Sequence, residues 1–144
     1  AVASKYCIDT VKDLAHNKGT GGFIIISAGF SEESEEGRVL EEKVVEMIDA
    51  VDGALIGPNC TGILTPYHHS IFTYPIPKLD PFGCDFISGS GATACFIMEA
   101  GIPKGLTFSN VFSVGGMSRI CPAFCCSRAA EGAIHLDLVI SIVS

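Results

Sequence analysis

No apolar run in this chain reaches the roughly 18 residues that a membrane-crossing helix needs. The sequence opens without a charged segment leading into an apolar one, so no export signal is read and a cytoplasmic protein is expected. Positive charge is also scarce: nine Lys and Arg stand against sixteen Asp and Glu, a formal net charge of -7. A nucleic-acid binder would show a basic stripe, so that class is disfavoured. An anionic ligand is still possible, because backbone N–H groups at a helix start hold phosphate without basic side chains. The seven cysteines are odd in number and irregularly spaced. Without an export signal they read as free thiols and not as a disulfide framework.

What the chain does have is apolar material: 48% of its 144 residues, enough for one domain or two small lobes. Tyr6, Cys7, Val11, Leu14 and Ala15 recur at helical spacing over 3–17, and Asn17-Lys18-Gly19 can end that helix. "GFIIIS" (22–27) reads as a strand buried on both faces. Ser31 or Ser34 can cap the next helix, with Glu35 and Glu36 at its positive end. Val39, Leu40, Val44, Met47, Ile48 and Val51 form its apolar stripe, and Glu41, Glu42, Lys43 and Glu46 its wet side. "ALIG" (54–57) is a second strand. Five of the seven prolines fall between Pro58 and Gly83, which marks an ordered connection that can carry a short strand. "CDFIS" (84–88), "NVFSV" (110–114) and residues 134–143 supply further strands, and 89–101 a helix closed by Gly101 and Pro103. Helices alternating with buried strands predict an α/β fold with mainly parallel pairing.

Three turns carry the chemistry. In "FISGSGATA", a strand runs through Ser88, Gly89, Ser90, Gly91 and Ala92 into a helix. Its glycines and free helix-start amides suit phosphate or carboxylate, and the alternative is an ordinary tight turn. The formal G-x-G-x-x-A match lacks the acidic residue that a dinucleotide site wants about 20 positions on, and Walker and G-x-S-x-G patterns fail. "IIISAGF" places Ile26, Ser27 and Ala28 past the end of another strand, where open α/β sheets bind ligands. "GPNC" puts Asn59 and Cys60 at a third strand end, either as a capped turn with a buried Cys or at a site. Cys60 as a nucleophile would need a base, and His68 or His69 is close only in sequence. Adjacent His68-His69, and Cys121, Cys125 and Cys126 with His135, fit no standard metal spacing, so no metal site is assigned.

Taken together, "IIISAGFSEESEEGRVLEE", "GALIGPNCTGILTP", "DFISGSGATA" and "GLTFSNVFSVGG" resemble the NDP-forming acyl-CoA ligase superfamily. That superfamily contains the succinyl-CoA ligase α subunit and ADP-forming acetate–CoA ligase. The resemblance covers residues 1 to about 116, and the acetate-type branch fits best. It implies that 1–57 is the C-terminal half of a Rossmann-like CoA-binding domain. Residues 58–83 would be a linker, and 84–144 the start of a flavodoxin-like ligase domain. It further implies CoA contacts at Ile26, Ser27, Ala28, Asn59 and Cys60. Ser88 to Ala92 would face a phosphate carried on a catalytic histidine. The implied reaction joins a carboxylate and CoA through an acyl phosphate and a phosphohistidine. ATP or GTP with Mg would be bound through an ATP-grasp β subunit or domain, in an oligomeric assembly.

The family's first glycine-rich CoA loop has no match in this sequence. His135, in "GAIHLDLVIS", does not match the family's His-Ala-Gly setting, and Cys95 stands where the succinyl branch has Tyr. The stretch "MSRICPAFCCSRAAEGA" (117–133) has no recognised counterpart, the sequence does not say whether 117–144 belongs to the family fold, and no catalytic residue is assigned. A fragment or truncated relative is therefore expected, not catalytic by itself. The competing expectation is a non-catalytic CoA- or anion-binding or assembly module. A thiol enzyme centred on Cys60 is a third.

Overall fold

Two small sheets, each with its own apolar cluster, organise the chain. The computed structural model describes residues 2–70, 73–115 and the backbone of 140–142. In the first unit, a 3-10 turn (Ser4–Tyr6) leads into α1 (Cys7–Lys12), which widens into a π turn (Asp13–Asn17). Gly19, at φ 66°, supplies the left-handed residue that redirects the chain. Strands β1 (Gly22–Ile24) and β2 (Ala54–Ile56) pair in parallel, with Phe23 opposite Leu55. Between them runs α2 (Glu35–Asp49), and Ser34 is its cap, the Oγ accepting from the Gly37 amide at 3.0 Å.

Cys7 and Val11 from α1, Ala15 from the π turn, Phe23 and Ile25 from the β1 region, Phe30, and Val44 and Ile48 from α2 form the first cluster. Each such side chain contributes roughly 1.5–3 kcal/mol of burial. The predicted strand over 22–27 is therefore real but shorter and one-sided: Phe23 and Ile25 are buried, whereas Ile26 is 41% exposed. The α2 stripe also differs from the sequence reading. Buried positions are Gly37, Glu41, Val44, Val45 and Ile48, so Glu41 faces inward, and Val39 is exposed. Val39 lies outside that arc by helical geometry, since only residues three or four apart share a face.

The second unit is a five-stranded sheet in the order β4-β3-β6-β5-β7. Its strands are β3 (Gly62–Thr65), β4 (His68–His69), β5 (Leu79–Ser88), β6 (Phe108–Ser113) and β7 (Ile140–Ile142). β5 runs parallel to β6 and β7, while β3 is antiparallel to β4 and β6. The class is α/β with parallel sheet elements and an antiparallel edge. The proline-rich stretch thus donates β3 and β4 to this sheet. β5 begins earlier than Cys84 through a register shift near Leu79, around Pro81 and Gly83.

Helix α3 (Gly91–Gly101) packs Ala94 and Met98 on Phe86, Phe108, Leu64 and Val111, and a 3-10 turn containing Pro103 closes it. Asp85, 3% exposed, is held through Oδ1 by Ser109 (2.5 Å) and Asn110 (2.6 Å) across β5 and β6. Among the described residues no helix is long and apolar enough to cross a membrane.

Candidate ligand-binding site at the strand ends

Residues 57–62, "GPNCTG", join the two units, and the other two motif turns meet there. The sequence puts a left-handed residue at each end of this stretch, with Gly57 at φ 95° and Gly62 at φ 97°. Asn59 itself sits at φ 54°, a conformation that Asn tolerates better than most side chains. The Asn59 amide donates to the Ser27 carbonyl at 3.0 Å, tying this turn to the one after β1. The Cys60 thiol donates to the Ile25 carbonyl at 3.4 Å. The Thr61 amide donates to Ser113 Oγ at 3.0 Å, tying the same turn to the end of β6.

Close backbone approach explains the glycines. A Cβ on Gly57 would lie 2.2 Å from the Ile25 carbonyl oxygen, and one on Gly115 would lie 1.9 Å from that of Pro58. A Cβ on Gly91 would meet the Thr61 methyl at 2.4 Å. The start of α3 is therefore packed against this turn. The three motif turns share a neighbourhood but not one sheet edge: Ser27 follows the first sheet and Ser88 belongs to the second.

At the α3 start, Ser88 and Ser113 are opposite in register and fully buried. The Ser88 carbonyl accepts from the Val114 amide at 2.8 Å, and its Oγ accepts from the Ser90 amide at 3.2 Å. Ser90 caps the helix, its Oγ accepting from the Thr93 amide at 3.3 Å. One of the predicted anion-binding amides, that of Ser90, is thus occupied. No acceptor among the described residues meets the amides of Gly91 and Ala92. No acidic residue stands in the first turn, so the positive end of the helix is unopposed.

The turn after β1 is built differently. Ser27 Oγ donates to the Val2 carbonyl at 2.7 Å. The Gly29 amide donates to Glu32 Oε1 at 2.7 Å, the Phe30 amide to the same carboxylate at 3.3 Å, and the Ser31 amide to Glu41 at 3.1 Å. Ile26 and Ala28 are exposed beside the exposed Asn59. A cavity of about 440 Å³ opens further along α2, but Glu41, Glu42, Glu46 and Asp49 line it and Arg38 is its one base, so it repels anions.

Cys60 is 3% exposed, and burial raises its pKa above the ordinary thiol value, against weaker backbone hydrogen bonds that lower it. A buried, protonated thiol is not a nucleophile, so the thiol-enzyme expectation is dropped. His68 and His69 are both exposed on β4. Among the described residues no group of three His, Cys, Asp or Glu could hold a metal ion. Cys121, Cys125, Cys126 and His135 lie outside the described residues. The sequence reading missed Thr61 and Ser113. The only signal for Ser113 was a small polar residue at the end of an apolar strand, and Thr61, inside the turn, gave none.

An α/β chain with small-residue turns at its strand ends is the class that fold and site define. No family model matches the chain. It is 38% identical over 101 residues to the α subunit of acetate–CoA ligase [ADP-forming] II from Pyrococcus furiosus, covering 70% of this chain and 22% of that protein. It is 32% identical over 103 residues to acetate–CoA ligase [ADP-forming] I from Archaeoglobus fulgidus, covering 72% and 15%. A crystal structure of a Pyrococcus horikoshii OT3 protein superposes with a TM-score of 0.85 at 29% identity, over 99% of this chain and 32% of that one. The acetyl-coenzyme A synthetase 1 of Ca. Korarchaeum cryptofilum, solved with phosphate and ADP, shares the fold: TM-score 0.85, 22% identity, 99% and 30% coverage. The chain belongs to the NDP-forming acyl-CoA ligase superfamily. It spans less than a quarter of the length of these curated relatives.

Proposed function

We propose that this chain is the CoA- and phosphate-facing segment of an NDP-forming acyl-CoA ligase. In that reading the whole protein joins a carboxylate to CoA at the expense of ATP or GTP, by way of an acyl phosphate and a phosphohistidine. Mg and the nucleotide are bound by an ATP-grasp β subunit or domain. The observation that carries it is the convergence on 57–62 of the β1 turn and the α3 start.

Ile26 and Ala28 offer a small exposed surface, and the exposed Asn59 carboxamide can both donate and accept. These groups suit the amide-bearing arm of CoA. The Cys60 side chain is withdrawn, so its share in such a contact falls to its backbone. The amides of Gly91 and Ala92 suit a phosphoryl group, with the dipole of α3 stabilising its charge. A rigid 57–62 segment would hold the two ligands in a fixed relation.

Calorimetry of CoA with the chain, alone and with an added ATP-grasp partner, tests this reading. Binding that weakens on Asn59→Ala supports it, and no binding in either mixture overturns it. The second reading is a non-catalytic assembly module. It is favoured by the two-stranded β1–β2 sheet, whose outer edges have no strand partner among the described residues. A clean monomer in light scattering would contradict that reading.

A further inference from the structure

We propose that Glu41, acting with Glu32, is a positioning residue for ligand binding at the β1 turn. The inference rests on the reading that Ile26 to Ala28 contact CoA. Three consecutive amides leave that turn, and each ends on a carboxylate: Gly29 and Phe30 on Glu32, and Ser31 on Glu41.

The two carboxylates differ in kind. Glu32 is exposed and local, two or three residues from its donors. Glu41 is 2% exposed and reaches back ten residues from the second turn of α2. It puts a carboxyl group at a buried position of an amphipathic helix, which is costly unless that group is hydrogen-bonded. Its effect is to fix where the turn lies on the helix. Phe30 between them is fully buried, and Gly37 lets α2 approach so closely that a Cβ there would sit 2.1 Å from the Phe30 carbonyl oxygen. The turn is thus clamped on both sides of Phe30, and Ile26 to Ala28 project from a fixed base. Fixing a binding turn before the ligand arrives raises affinity by removing the ordering cost.

The test combines amide hydrogen exchange with CoA and phosphate calorimetry on the wild-type chain, Glu41→Ala and Glu41→Gln. In the wild type the Gly29, Phe30 and Ser31 amides exchange slowly. Glu41→Ala frees Ser31, weakens CoA binding about tenfold, and leaves phosphate binding unchanged, since losing one charge-assisted hydrogen bond has that size. Glu41→Gln, which keeps an acceptor, restores most of the affinity. Fast exchange of all three amides in the wild type would overturn the clamp. Unchanged CoA affinity in Glu41→Ala would overturn the positioning role. So would equal losses in the Ala and Gln variants, which would show that the Gln acceptor does not hold the turn, or parallel losses for CoA and phosphate, which would mark a general effect on packing. A wild-type chain that shows the protected amides but binds no CoA would overturn the site reading, and the positioning role with it.

Discussion

The turn after β1 and the turn after β5 obey the same local grammar, yet they end in opposite states. Both follow a strand in parallel pairing, both use small residues, and both open a helix capped by Ser: Ser34 for α2, Ser90 for α3. In the first, Glu32 and Glu41 fill the amides of Gly29 to Ser31. In the second, no acidic residue stands in the first turn of α3, and no described acceptor meets the amides of Gly91 and Ala92. A turn with carboxylates within reach fills its own donors. A turn without them keeps its positive end for something else. Under the proposed function, where the negative charge lies in the sequence therefore decides which strand-end turn takes an anion.

The largest expected effect separates the two helix-start glycines. Gly37→Ala drives a Cβ to 2.1 Å from a backbone oxygen that cannot yield, so we expect a loss of about 2–3 kcal/mol in chemical denaturation. Gly91→Ala meets only the Thr61 methyl, whose side chain can rotate, so the loss there is about 1 kcal/mol or less. Equal losses would break the comparison.

The caps come next: Ser34→Ala and Ser90→Ala should each cost about 1 kcal/mol. Only Ser90→Ala should also weaken phosphate binding, which calorimetry would show. Thr61→Val is smaller still. Thr61 Oγ1 is buried and has no hydrogen-bond partner among the described residues, so removing it should be neutral or stabilising by up to about 1 kcal/mol.

The smallest effect belongs to Glu35, at the acidic first turn of α2. Its hydrogen bond from Arg38 holds its pKa below the ordinary carboxylate value. A folded pKa that is depressed gives stability above the unfolded value and loses it as pH falls. Melting should therefore drop slightly more in the wild type than in Glu35→Gln when pH falls below 4.5, and salt should shrink the difference. Helix α3, with no acidic residue in its first turn, should show no counterpart.

The alternation of helices and strands was legible because buried strands and amphipathic helices differ in period. Gly19 and Gly101-to-Pro103 were readable as helix ends from local chemistry alone, and the α2 cap was narrowed to Ser31 or Ser34, of which the structure uses Ser34. Glu41 was not. Its charge masked its spacing: Glu41 stands three and four positions from the buried Val44 and Val45, on the face that Glu42 and Glu46 do not share. β3 escaped as a sheet member because its partner, β6, lies more than 40 positions away and antiparallel. The three motif turns were legible as turns. That they meet through 57–62 was not, since it depends on Asn59, Cys60 and Thr61 bonding in two directions.

Backbone amide NMR under titration with inorganic phosphate tests the central claim most directly. The account predicts saturable shifts at Gly91 and Ala92, with Gly29, Phe30 and Ser31 unmoved. Shifts at Gly29 to Ser31, or none at Gly91 and Ala92 at phosphate concentrations that saturate ordinary helix-end sites, would contradict it.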